Sequence, residues 1–123
     1  MKFRIYYDDT DAEGIVYHAN YLKFCERARS EHIFNTLGPD AFSKESYFVV
    51  VGIEAKFKGS AKLADCIEVR SKSVAITDIS VVLKQEILLE NKVIFVAQVK
   101  LVYLQNSKLS KIPQHFKKIF EEL

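Results

Sequence analysis

The run Asn20-Tyr21-Leu22-Lys23-Phe24-Cys25-Glu26-Arg27-Ala28-Arg29-Ser30-Glu31-His32-Ile33-Phe34-Asn35-Thr36-Leu37, closed by Gly38-Pro39, is the one long helical stretch in a chain of 123 residues. Asn20 is of a type that caps helix starts, and Gly-Pro stops a helix, because glycine turns out of it and proline cannot continue it. Tyr21, Cys25 and Ala28 share a face that His32 continues. Leu22, Ile33 and Leu37 lie on a flank broken by Glu26 and Arg29. Apolar residues thus cover much of the circumference, which predicts a deeply buried helix. The small side chains of Cys25 and Ala28 allow another element to approach closely there.

On both sides of this run the hydrophobic period is two. Phe3, Ile5 and Tyr7 alternate with Lys2, Arg4 and Tyr6, which predicts a short half-buried strand. After the helix, Tyr47, Val49, Val51, Ile53, Ala55 and Phe57 alternate with Phe48, Val50, Gly52, Glu54 and Lys56. Ile67 and Val69 alternate with Glu68 and Arg70. Ile79, Val81, Leu83, Gln85, Ile87 and Leu89 make a third strand, and Val93, Phe95, Ala97, Val99, Leu101 and Tyr103 a fourth. The connections at Thr77-Asp78 and Asn91-Lys92 are short, and only antiparallel pairs can be joined so briefly. Pro113 opens a last helix that puts Phe116, Ile119, Phe120 and Leu123 on one face. Such a sheet needs its apolar face covered, and the long helix is the only large cover available. The expected fold is therefore α+β: a hot-dog arrangement, an antiparallel sheet wrapped around one central helix, with a short C-terminal helix. A ferredoxin-like fold would need a second long helix between strands.

Composition narrows the function classes. Hydrophobic residues are 49% and charged residues 28%, a globular balance that predicts one domain over residues 1–123. Lys plus Arg number 18 and Asp plus Glu 16, and the net charge of +2 gives no electrostatic footprint for nucleic acid. Cys25 and Cys66 match no metal or redox spacing and fit a reducing, cytoplasmic setting. The N-terminus lacks the pattern of a signal peptide, and no apolar run approaches the roughly 18 residues of a membrane span.

The densest polar segment runs from Tyr7 to Tyr21, between the first strand and the long helix: Tyr7-Asp8-Asp9-Thr10-Asp11-Ala12-Glu13-Gly14-Ile15-Val16-Tyr17-His18-Ala19-Asn20-Tyr21. Each residue has an ordinary reading as part of a turn, with Asp8, Asp9 and Thr10 solvating it, Gly14 supplying a positive φ and Asn20 capping the helix. Asp9, Asp11, Glu13 and Gly14 loosely match the opening of a calcium loop, but its twelfth position is Asn20, which supplies no bidentate carboxylate. A third reading is acyl transfer to water. A helix start presents free N–H groups that can polarise a carbonyl and stabilise its oxyanion. Asp11 can then act as nucleophile or general base.

The stretch Asp9 to Tyr21, followed by Glu26-Arg27-Ala28-Arg29, closely resembles the signature of YbgC-type acyl-CoA thioesterases, a branch of the hot-dog family that includes the bacterial hydroxybenzoyl-CoA thioesterases. The resemblance implies that Asp11 is the catalytic carboxylate and that the backbone N–H at His18 donates to the thioester carbonyl. It marks the His18 side chain as characteristic of the branch and places Tyr7 beside the carboxylate. Gly14 makes the close turn and Asn20 starts the helix, both next to the substrate. Glu26 and Arg29 match a family pair, read as structural: one turn apart, they can satisfy each other or a neighbouring subunit. No metal or cofactor is implied. The implied partners are acyl-CoA, or an acyl carrier protein, and further copies of the chain, as a dimer with a continuous sheet and then a dimer of dimers, its active sites at the dimer interface. Gly59-Ser60-Ala61 replaces the Pro-Ala of many relatives, and Asp78 stands in a turn where some carry basic residues. That leaves Lys58 and Lys62, with Lys56 and Lys72, as candidates for the CoA phosphates.

Two rivals share the expected fold: a non-catalytic protein that binds acyl-CoA or acyl carrier protein, and a dehydratase of hydroxyacyl thioesters. His32 and Cys25 read as packing residues and His115 as exposed. The basic run Lys108 to Lys118 reads as a solvated face, with Phe116 and Ile119 packed.

Overall fold

The computed structural model describes residues 1–123. Six strands, β1 (Lys2–Arg4), β2 (Ser46–Phe57), β3 (Cys66–Ile76), β4 (Ser80–Leu89), β5 (Lys92–Gln105) and β6 (Lys108–Leu109), form one sheet in the order β1-β3-β4-β5-β2, with β6 paired to β5. Every pairing is antiparallel. The long helix α1 (Asn20–Leu37) lies against the sheet and the short α2 (Gln114–Glu121) closes one end. The expected hot-dog architecture is the observed one.

The rows with clean period two became the core. Val81, Leu83, Gln85 and Ile87 of β4, and Phe95, Ala97, Val99, Leu101 and Tyr103 of β5, are all buried. Phe116, Ile119 and Phe120 of α2 join them, and Ser73 Oγ of β3 donates to the Phe120 carbonyl at 2.5 Å. Burial of these side chains is the main stabilising term, at about 1.5–3 kcal/mol for each large one. The helix α1 buries one face only, through Tyr21, Phe24, Cys25, Ala28 and Ile33, while Glu26, Arg27, Glu31 and Asn35 face outward. It is less enclosed than its composition predicts, because the sheet covers one side of it.

Several local expectations need correction. The strand predicted through Tyr7 ends at Arg4, and Tyr7–Asp9 forms a 3₁₀ turn instead. There the Tyr6 N–H donates to Asp9 Oδ2 at 2.9 Å, satisfying a turn amide that a ladder would otherwise have used. Alternation along β2 is broken by a bulge between Val50 and Gly52. An extra residue reverses which side chains face inward, so Phe48 turns to the core and packs on Tyr103 and Phe120, while Phe57 meets Phe95 edge-on but stays half exposed. The β4–β5 turn is Glu90-Asn91, one residue earlier than predicted, with both φ positive as a tight hairpin turn requires. A second such turn at Asn106-Ser107 leads into β6, so the basic run begins as strand rather than helix. Within it, Lys117 pairs with Asp78 at 3.0 Å, which holds the Asp78 carboxyl below its ordinary range.

Candidate active site

The segment between β1 and α1 is a closed loop. Its limbs are joined by Asp11 N–H to the Ile15 carbonyl (2.9 Å), a bridge between Thr10 and Val16, and Tyr17 N–H to the Asp9 carbonyl (3.0 Å). Gly14, at φ +80°, makes the turn at the tip and donates its N–H to the Asp11 carbonyl. One oxygen of Asp11 accepts the Glu13 N–H at 2.9 Å. The carboxylate is half-buried, and its second oxygen has no partner within the chain.

Asp9 holds this loop together. It is buried, caps Tyr6 with one oxygen and meets Lys23 of α1 at 3.6 Å with the other. Its carbonyl also accepts Asn20 Nδ2 at 2.9 Å. Asn20 therefore does not cap α1, as the sequence suggested. Ala19 occupies the cap position and offers no side-chain acceptor. Asn20 has turned its amide back to brace the loop. Just before the helix two donors are free: neither His18 N–H nor Ala19 N–H meets a protein acceptor, whereas Asn20 N–H is on the Tyr17 carbonyl at 2.8 Å. Such unmet amides carry the positive end of the helix dipole.

Aromatic rings frame this end of α1. The His18 ring is exposed, 4.5 Å from Tyr17 and 6.2 Å from Phe57 at the end of β2. Tyr21 is buried and stacks on Phe95 at 5.3 Å. Its hydroxyl accepts the Ala61 N–H at 3.1 Å, while the Ala61 carbonyl accepts Val16 N–H at 2.8 Å. Ala61 thus ties the loop, the helix and the segment after β2 together. Burial raises the Tyr21 phenol above its ordinary pKa, the Ala61 N–H opposes this, and the nearby charge of Asp11 raises it further. The carboxylate and the first turn of α1 therefore share one electrostatic neighbourhood.

The other sequence candidates are placed as follows. Tyr7 is 82% exposed, and its ring contacts no other ring of the chain. Lys58 directly follows Phe57, the ring that meets His18, and is exposed with its backbone N–H on the Ile94 carbonyl. Lys62 is exposed and forms a backbone bridge with Ile15 of the loop. Glu26 and Arg29 do not satisfy each other: Glu26 accepts from Ser30 Oγ at 2.8 Å, whereas Arg29 donates to Gln85 Oε1 at 3.2 Å. Gln85 is fully buried and donates to the Cys25 carbonyl and to Ser71 Oγ, both at 2.9 Å. Burial lowers the Arg29 pKa and raises that of the Cys25 thiol to about 12. Tyr21 and this network are what sequence reasoning passed over, and Asp9, read there as solvating the turn, is instead buried. Gln85 left a visible signal, a lone amide in an otherwise apolar row.

The fold, one antiparallel sheet against a long helix, is that of the hot-dog thioesterases. The chain belongs to the thioesterase superfamily, whose family model matches residues 13–96. It stands with the YbgC-type enzymes: it is 40% identical to the acyl-CoA thioesterase YbgC of Helicobacter pylori, over 100% of this chain and 97% of that one. It is 35% identical to the acyl-CoA thioester hydrolase YbgC of Escherichia coli O6:H1, over 86% and 81% of the two chains. Among solved structures, a hypothetical protein from Aquifex aeolicus superposes with a TM-score of 0.91 at 22% identity, covering 98% of this chain and 97% of that one. No helix here is long and apolar enough to cross a membrane.

Proposed function

We propose that this protein hydrolyses acyl-CoA to the free acid and CoA, with Asp11 as the reacting carboxylate and the amides around His18 as the oxyanion donors. The observation that carries this reading is the pairing of the unpartnered Asp11 oxygen with the unmet N–H groups at the start of α1. The thioester carbonyl sits on those amides, which stabilise negative charge on its oxygen as the carbon becomes tetrahedral. Asp11 either takes a proton from the attacking water or adds to the carbonyl itself. In the second case the C–S bond breaks, CoA leaves as thiolate, and water then cleaves the mixed anhydride. His18 and Tyr7 position the thioester and assist proton transfer. Gly14 and Asn20 shape the substrate's seat, Gly14 through the turn and Asn20 through its hold on Asp9. Lys58 and Lys62 flank the helix start and take the CoA phosphates.

The working unit is a dimer of dimers in the cytoplasm. The strand β2 is a free sheet edge, with Val51 at 57%, Ile53 at 45% and Phe57 at 54% exposure. An open apolar edge favours pairing with a second copy into one continuous sheet. An acyl carrier protein is the other macromolecule that would deliver an acyl thioester here.

The test is product analysis on a panel of short, long and aromatic acyl-CoAs. Hydrolysis predicts free thiol and free acid in equal amounts. An enoyl thioester from a hydroxyacyl substrate would make the protein a dehydratase, and acyl-CoA bound but never turned over would make it a binding protein.

A further inference from the structure

Away from the helix start, a cavity of about 400 Å³ lies between α1, β2 and α2. Its walls are apolar and largely aromatic, with Ile33, Phe34, Phe42, Phe48 and Phe120 among the lining residues. Phe42 meets Phe34 at 5.7 Å and Phe48 at 6.3 Å, and Phe48 meets Phe120 at 5.3 Å, so the wall is one connected set of rings. A single cation, Arg29, lines the same cavity. Its only protein acceptor is Gln85 Oε1, and no carboxylate is ion-paired with it. Glu26, also on the wall, is exposed and is taken up by Ser30. A guanidinium carries five donors in a planar fork that fits a carboxylate. Burial lowers its pKa and the neighbouring Glu26 charge offsets this only in part, so the guanidinium sits partly desolvated beside rings with one neutral hydrogen-bond partner.

We propose that this cavity binds a monocarboxylic acid with an apolar tail, its carboxylate on the free N–H groups of Arg29 and its tail against the aromatic wall. The class is the one that thioester hydrolysis releases, and the inference rests on the proposed function for that source alone. The helix face that carries Arg29, Ser30 and Glu26 continues backward through Leu22 and Ala19. It therefore leads to the start of α1, about 15 Å away at the rise of a helix. The structural role of Arg29 is real but incomplete, because Gln85 uses one donor of five.

Calorimetric titration of the whole protein with decanoate, and in parallel with decanol and decanamide, tests this. Decanoate binds about 10- to 100-fold more tightly than either neutral analogue if a charge-assisted fork anchors it. Arg29→Met removes that preference. Should Arg29→Met fail to fold, Ser30→Tyr leaves the Arg29–Gln85 bond in place, fills the cavity and abolishes decanoate binding. Asp11→Asn leaves decanoate binding unchanged. Equal affinity for decanoate and decanol, no binding of either, or full binding by Ser30→Tyr overturns the proposal. Thiol release measured on the same preparations separates the two readings: hydrolysis without acid binding refutes this cavity alone, and acid binding without hydrolysis refutes the proposed function alone.

Discussion

Replacing Tyr21 by Phe deletes one oxygen at the junction of loop, helix and sheet. The ring remains stacked on Phe95 at 5.3 Å, so packing is kept. What is lost is the acceptor for the Ala61 N–H, a bond of 3.1 Å between residues that are 2% and 1% exposed. A buried donor left without a partner costs about 1–3 kcal/mol. Unfolding entropy of about 2.1 cal/mol/K per residue amounts to about 0.26 kcal/mol/K for this chain, so Tm should fall by about 4–12 °C. The difference should also depend on pH. Burial raises the Tyr21 pKa in the folded chain. Below the ordinary phenol value of about 10 both folded and unfolded tyrosine are neutral, and the Tyr21 contribution is fully present. Above it the unfolded chain loses its proton first, so wild-type stability falls as pH rises toward the raised folded value. The Phe variant lacks that titration, and the gap between the two proteins narrows above about pH 10. Thermal and urea unfolding followed by circular dichroism, from pH 7 to 11, reads both effects. A Tm unchanged at pH 7, or a gap that widens with alkali, would refute the reasoning.

Gly14→Ala meets no neighbouring atom but must hold φ +80°, so it should lose about 1–2 kcal/mol of stability by strain alone, read as a drop in Tm. Native protein should give one fast equivalent of thiol, from exposed Cys66, and a second, from buried Cys25, only on unfolding. Burial holds Cys25 at about 12 against its usual 9.0, so its contribution is present below about pH 9 and lost as pH rises toward 12; Cys25→Ala should flatten that part of the alkaline stability profile. Ile53→Lys puts a charge in the middle of the free β2 edge and should convert the assembly to monomers in sedimentation measurements, with an unchanged assembly counting against sheet pairing through β2.

The sheet was legible because β4 and β5 face a core on one side only, so Val81, Leu83 and Ile87 stand out against Lys84 and Glu86. The edge strand β2 was less legible. Tyr47 and Phe48, then Val49, Val50 and Val51, are apolar in succession, and nothing in such a run marks where a bulge reverses it. Asn20 has the chemistry of a cap, yet its partner is Asp9, eleven positions earlier, and only the closed loop brings the two together. The partner of Arg29 is 56 residues away, so a helical spacing rule pointed to Glu26 instead. At the site, Asp11 and the amides near His18 could be singled out because polar residues crowd one turn before a helix, whereas the choice of Asp11 as the reacting carboxylate and of the His18 side chain comes from the family resemblance. Tyr21 could not, since its ring belongs to the apolar face and its hydroxyl finds its partner at Ala61, forty residues on.

The most direct test of the central claim is steady-state thiol release by wild type and Asp11→Asn, on the best acyl-CoA of the panel, with Tm and acyl-CoA affinity measured on both proteins. The isosteric amide keeps an oxygen for the Glu13 N–H but can neither attack the carbonyl nor accept the proton of water. A fall in kcat of at least about 100-fold, with Tm and binding preserved, is the predicted result. A variant that keeps most of its kcat would show that the carboxylate of Asp11 does not carry the reaction.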